Sequence, residues 1–457
     1  MPASDPKSTN PPALPWTFWR VATIFLTINT VLLAILVVLY WKRSEVERQP
    51  GQEETQAAGT APLVELDQGS WRFIVSGDSR NCGDVVMPTI AAHSARNFQP
   101  AFYWHLGDLR AIYKVDEDMA AEAQKQGEHL SCKSYLEDAW PDFIKHQIAP
   151  FGITRFYVGI GNHEVILPKK REGFSREFED WLLTPRRQME GVKKEDSARI
   201  AANQSAACQS VAKTTYLVPR TYYHWRQNGV EFIYLDNASG SFYFKTEAGA
   251  EDHSQEDWFD CVLDLAANDS SVKSVVVGMH EVLPYSRANN HSMCDHPENP
   301  NEATSSGCKS GIHVFNQLVK VKEHKPVYVL ASHSHFYLQD VFPPASALPG
   351  WIVGTAGAVR YPLPPGVNPG PGAQKDLYGY LVGTVTNGEI KFNFQEVKES
   401  DIPSDVRRRY PAGFPNWCFS HNSQNVDALT GESTNRCTEV LPTAAPNATP
   451  PAAKAKK

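Results

Sequence analysis

Short apolar runs separated by polar stretches rich in Gly, Pro and Asn recur from residue 72 to residue 397 and predict alternating strands and helices. Arg72–Ser76, Ala101–His105, Arg155–Gly159, Tyr222–Arg226, Val230–Leu235, Ser274–Gly278 and Val327–Ala331 read as strands. Residues Val85–Arg96, Tyr135–His146, Phe174–Leu183, Trp258–Ala267 and His313–His324 carry helical periodicity between them. A hairpin is expected across Gln227-Asn228-Gly229, and Gly350–Gly354, Gly379–Thr386 and Glu389–Val397 make the last part mostly β. Strand–helix alternation followed by strands predicts an α/β fold of four layers, with two sheets between helices (αββα).

The amino-terminal pattern is different. Val21 to Trp41 carry no charged side chain, and a helix over them would be about 31 Å long, the thickness of a bilayer core. Trp16, Trp19, Tyr40 and Trp41 lie at its two ends, where aromatic rings favour the interface. The expectation is one transmembrane helix over 21–41, after a disordered segment over 1–20 and before a flexible linker over 42–68. A folded domain over 69–400 follows, then an extension with a disulfide over 401–440 and a Pro/Ala/Lys tail over 441–457.

Composition changes this picture little. The net charge of −7 argues against binding a nucleic-acid backbone. The eight cysteines include no Cys-x-x-Cys pair. Cys294 and Cys308 bracket one polar loop, and Cys418 and Cys437 bracket another. That dispersal suits disulfides in an oxidising compartment, so the domain is expected outside the cytoplasm, extracytoplasmic or periplasmic. The flanking charges, Lys7 and Arg20 against Lys42, Arg43 and Arg48, lean slightly the other way. His291 and His296 beside Cys294 read as incidental to a disulfide-clipped loop rather than as a zinc site.

Chemistry concentrates at strand ends. Gly77-Asp78, Gly107-Asp108, Gly161-Asn162-His163-Glu164, Gly278-Met279-His280 and His333-Ser334-His335 each follow an apolar run. Strand ends bring distant residues to one edge of a sheet. Carboxylates, one amide and imidazoles are the donor mix for a pair of divalent metals. Two insertions, 165–214 and 281–312, leave the same edge, where substrate selection is usually built. Neither a Gly-x-Ser-x-Gly elbow nor a P-loop occurs, so serine-hydrolase and P-loop readings have no anchor.

Taken in order, the five segments resemble the calcineurin-like metallophosphoesterase superfamily, which includes purple acid phosphatases and phosphodiesterases, over residues 69–397. The resemblance implies an αββα sandwich holding two divalent or trivalent transition metals, manganese, iron or zinc. It assigns one metal to Asp108, Asn162, His280 and His333, and the second to Asp78, the shared Asp108 and His335. A hydroxide between them would attack phosphorus, with His163 as general acid or phosphate donor and Glu164 orienting it.

One position departs from the pattern. Many members have a histidine ligand where this chain has Arg80, and a guanidinium cannot ligate. Purple acid phosphatases instead use a tyrosine at the place of Ala111, with Tyr113 two residues on. Three readings stay open: Tyr113, Asn81 or water completes the second site; the second metal binds weakly; or Arg80 grips the phosphate. Arg110 and Arg360 are further phosphate contacts or ion-pair residues. The implied function is metal-dependent hydrolysis of a phosphate mono- or diester, on a small-molecule or membrane-proximal substrate. The alternative is a catalytically weak domain of the same fold that binds a phosphorylated ligand or partner at the membrane.

Overall fold

The computed structural model describes residues 69–182, 206–213, 220–245, 249–288, 291–343, 348–422 and 437. The expected anchor, linker and tail, and much of the first insertion, lie outside the described residues. No helix among those described is long and apolar enough to cross a membrane.

Among the described residues fourteen strands form, in chain order β1 (Trp71–Ser76), β2 (Phe102–His105), β3 (Arg155–Val158), β4 (Tyr223–Gln227), β5 (Val230–Leu235), β6 (Phe244–Lys245), β7 (Glu251–Asp252), β8 (Ser274–Met279), β9 (Val327–Ala331), β10 (Tyr337–Gln339), β11 (Gly350–Val353), β12 (Ala373–Gln374), β13 (Tyr378–Thr386) and β14 (Glu389–Val397). One sheet runs β14-β13-β1-β2-β3, the other β12-β10-β11-β9-β8-β5-β4, and β6 pairs with β7. Within them β1, β2 and β3 are parallel, as are β5, β8, β9 and β11. The β4–β5 hairpin turns through Asn228 (φ 47°) and Gly229 (φ 83°), the left-handed pair a two-residue turn requires.

Alternation along the buried strands assigns their two faces. On β5, Phe232 and Tyr234 point between the sheets, while Ile233 and Leu235 point outward. On β8, Val276 points inward, and Val275, Val277 and Met279 outward. The interior between the sheets is aromatic: Phe73 lies edge-on to Phe232 at 5.1 Å, and Trp351 packs on Phe392 at 4.4 Å between centroids. Trp258, Val262, Val314 and Leu318, from helices Ser254–Asn268 and Ser306–Lys322, cover the outer face of the second sheet. Val85, Val86, Ile90 and Phe143, from Gly83–Asn97 and Cys132–Phe143, back the first. The predicted strands form within a few residues of their expected ends, but the helix expected over His313–His324 begins at Ser306 and the one expected over Phe174–Leu183 runs Arg171–Glu177. Helices Glu117–Gln126, Ser404–Arg409 and Phe414–His421 were not foreseen.

All eight cysteines are paired: Cys82–Cys418, Cys132–Cys437, Cys208–Cys261 and Cys294–Cys308. The loop between Cys294 and Cys308 is clipped as expected. Cys418 and Cys437 do not close on each other but tie the carboxyl-terminal extension back to Cys82 and Cys132. Non-reducing digestion and mass mapping should recover these four linked peptide pairs, and eight free thiols in the extracted protein would contradict them.

Candidate metal centre

Parallel strands put their carboxyl ends on one edge, and that edge is where all five segments meet. Asp78, Asp108 and Asn162 follow β1, β2 and β3 of the first sheet; His280, His333 and His335 follow β8 and β9 of the second. The chain must turn sharply to place them. Asp78 (φ 59°), Asp108 (φ 59°) and His333 (φ 65°) all adopt the left-handed region, a strain on the order of 1 kcal/mol or more each. Room is made by Gly161, where a Cβ would lie 2.3 Å from Asp108 Oδ1 and 2.9 Å from His280 Cε1.

The donors of the first expected metal converge. His280 Nε2 lies 3.2 Å from Asp108 Oδ1, 2.9 Å from Asn162 Oδ1 and 3.1 Å from His333 Nδ1. His280 is oriented from behind, Nδ1 donating to Leu106 O at 3.1 Å, so its Nε2 faces the other donors. Its backbone N–H and that of Glu281 donate to Asn237 Oδ1, each at 3.1 Å, an anchor beyond β5 that the motif pattern did not reveal. Glu164 does not orient His163. Its carboxylate instead accepts from the backbone N–H groups of Gly161 (2.7 Å), Leu109 (2.9 Å) and Asp108 (3.0 Å), locking the two ligand-bearing loops together.

The second group of Asp78, Asp108 and His335 also comes together. His335 Nδ1 donates to Val359 O at 2.5 Å, and Tyr361 stacks on the ring at 3.9 Å. Its Nε2 lies 3.4 Å from Asp78 Oδ1 and accepts from Arg80 Nη2 at 2.9 Å. Arg80 Nε lies 3.7 Å from Asp108 Oδ2. Asn81 is unavailable as a ligand, because its side chain donates to Glu117 Oε2 and accepts from Val359 N–H. Tyr113 sits beside His163, with ring centroids 5.4 Å apart.

Electrostatics separate the groups. Burial alone would raise Asp78 and Asp108, yet the neighbouring histidines hold both below the usual carboxylate range. Burial opposes the charge on His280, but Asp108 and Asp78 outweigh it and push the imidazole up to about 10. Burial pushes His163 down to about 4 and His333 down to about 3. Asp78 Oδ1 and Asp108 Oδ2 are buried without a hydrogen-bond partner. Facing imidazole nitrogens beside such carboxylate oxygens are what a cation satisfies. The two orphaned oxygens face the second group, while the first group fits a cation through its donor set: one carboxylate oxygen, one amide oxygen and one imidazole nitrogen within 3.2 Å of a second imidazole nitrogen, His280 Nε2.

Three neighbours escaped the motif reading or were read differently. His291 lies 5.6 Å from both the His333 and Tyr361 rings, so the disulfide-clipped loop delivers it to the mouth of the site. Arg110 is no phosphate contact: it is buried and paired with Asp84, Asp118 and Asp142. Arg360 donates to the carbonyls of Asp376 and Phe419, a structural tie.

No protein-family model and no curated protein matches the chain. Among solved structures it is similar to the purple acid phosphatase of yellow lupin (Lupinus luteus) seeds, at 14% identity and TM-score 0.43 over 73% of this chain and 52% of that one. It is similar to a PhoD structure at 15% identity and TM-score 0.39, over 74% and 73% of the two chains. It is also similar to GAP50, the anchor in the inner membrane complex of Plasmodium, at 11% identity and TM-score 0.42, over 72% and 85%. These likenesses are too distant to carry function; the site's own geometry is what bears on it.

Proposed function

We propose that this chain is a metal-dependent phosphoesterase of the calcineurin-like, αββα type, hydrolysing a phosphate mono- or diester. The observation that carries this reading is the convergence of Asp108 Oδ1, Asn162 Oδ1, His280 Nε2 and His333 Nδ1 at the strand ends. A transition metal held by those four, with manganese, iron and zinc all suited to such donors, would polarise the phosphoryl group and lower the pKa of water. Asp108 supplies the negative charge, and Glu164 keeps its loop in place through three backbone N–H groups. The Arg80 guanidinium, on a buried residue and always protonated, offers a fixed positive charge toward a phosphate oxygen.

His163 is a candidate proton donor to the leaving oxygen. Its Nδ1 is held by Ala111 O at 2.6 Å, and Nε2 lies 3.6 Å from Asp108 Oδ2. In acidic buffer, where this imidazole takes up a proton, His163→Ala is expected to slow alkyl-phosphate hydrolysis by about 10²–10⁴-fold. p-Nitrophenyl phosphate, whose leaving group needs no proton, should lose far less. Equal losses on both would make His163 a phosphate contact instead.

The substrate reading is a phosphorylated small molecule or a membrane-proximal phosphoester, with no role for a nucleic-acid backbone. Four disulfides support a domain outside the cytoplasm, held there by the apolar segment 21–41 as a single-pass anchor. The deciding assay is a panel of phosphate mono- and diesters with and without chelator. Hydrolysis abolished by chelation and restored by manganese or zinc is expected; hydrolysis indifferent to chelation would overturn the proposal.

A further inference from the structure

The six donors were expected to hold two ions, but they do not present two equivalent halves. At Asp108, Asn162, His280 and His333 no arginine or lysine among the described residues donates a hydrogen bond to a donor atom. At Asp78, Asp108 and His335 one does. Arg80 Nη2 donates to His335 Nε2 at 2.9 Å, and because Nδ1 of that ring is committed to Val359 O, Nε2 is the only nitrogen His335 could give a metal. One lone pair cannot serve both a guanidinium proton and a metal ion. The same guanidinium approaches Asp108 through Nε at 3.7 Å, so it faces two of the three donors.

Arg80 cannot leave cheaply by losing its proton, because a guanidinium stays charged even when buried. Its side chain is 9% exposed, and the carboxylates beside it favour a resident positive charge. Charge supports the same conclusion. Asp78 and Asp108 bring two negative charges to this half, and a guanidinium already meets one of them. A divalent ion added beside it would be repelled at short range in a site shielded from water.

We propose that the Arg80 guanidinium takes the place of the second metal, so that the centre binds a single ion, at Asp108, Asn162, His280 and His333. This inference rests on the metal-centre reading above. It places the role of a second cation, neutralising a bound phosphate oxygen, on a covalently attached side chain that chelators do not remove.

The test is metal stoichiometry. The full chain, stripped and titrated calorimetrically with manganese chloride, is expected to take up one equivalent, checked by inductively coupled plasma mass spectrometry. Its electron paramagnetic resonance spectrum should show an isolated ion. Arg80→His, which removes the guanidinium and adds an imidazole, should bind two, with the broadened spectrum of a coupled pair. Arg80→Ala should admit a second, weaker equivalent. Two equivalents in the unaltered chain would overturn the inference whether or not either variant folds. One equivalent in a folded Arg80→His would overturn it as well, since the arginine would then not be the obstacle. One bound ion without hydrolysis of any ester would support the inference while removing the hydrolase reading, and no bound ion would remove both.

Discussion

Asp108→Asn is expected to lower phosphoesterase turnover by about 10³-fold or more, roughly 4 kcal/mol of lost stabilisation, without unfolding the chain. The carboxylate serves several partners at once. Oδ1 lies 3.2 Å from His280 Nε2 and accepts the His163 backbone N–H at 3.0 Å. Oδ2 lies within 4 Å of both His163 Nε2 and Arg80 Nε and has no hydrogen-bond partner of its own. Asparagine keeps the shape and tolerates the left-handed backbone that Asp108 adopts (φ 59°), so the loop should hold. It cannot keep the charge, and its amide NH₂ would point a donor at a position that needs an acceptor. Kinetics on the best substrate of the panel, with metal content and circular dichroism measured on the same preparation, check this. Activity within tenfold of the unaltered chain would sink the assignment of Asp108 as the central ligand.

Much of this centre could be read in the chain because the fold works by local rules at the strand ends. Apolar runs ending in Gly-Asp or Gly-Asn-His-Glu mark where a strand must stop and a polar side chain must turn into the edge. Gly161 shows why the glycine is there, since a Cβ would collide with Asp108. What orients the donors was not legible. His280 is set by the carbonyl of Leu106 and His335 by that of Val359, and carbonyls are common to every residue type. Nothing local to His291 says where its long loop will land, beside His333 and Tyr361. The expected Cys418–Cys437 pairing failed for a related reason. Nearness in sequence suggested Cys418 with Cys437, whereas the extension folds back across the domain to reach Cys82, 336 residues away.

Arg110 is an interior ion-pair residue rather than a phosphate contact, and its removal should have the largest effect on stability. Arg110→Met is expected to destabilise the fold by about 3–5 kcal/mol, the cost typical of stripping one partner from a buried charge cluster. The guanidinium is fully buried and holds Asp84 at 2.7 Å and Asp118 at 3.2 Å, contacts Asp142, and donates through Nε to Ala139 O. Methionine fills similar volume but leaves these carboxylates facing one another, with His146 beside Asp142 at 2.9 Å and Asp84 at 3.7 Å, and Gln147 Nε2 donating to Asp84. The pH dependence has several parts. Burial and the neighbouring Asp84 raise Asp118 and Asp142 despite Arg110. Burial would raise Asp84, but Arg110 and His146 hold it below its ordinary 3.8, so its contribution is present above that value and fades as pH falls. Burial would lower His146, but Asp142 and Asp84 push it from 6.5 up to about 9, so its contribution is present below 6.5 and is lost as pH rises through 9. In the variant, Asp84 loses its strongest cationic partner and its pKa climbs. The gap between variant and unaltered chain should therefore narrow as pH falls and the orphaned carboxylates take up protons. Guanidinium unfolding of both proteins across pH measures this. A loss under about 1 kcal/mol near neutrality, or a gap that widens in acid, would return Arg110 to the list of residues free to meet a ligand.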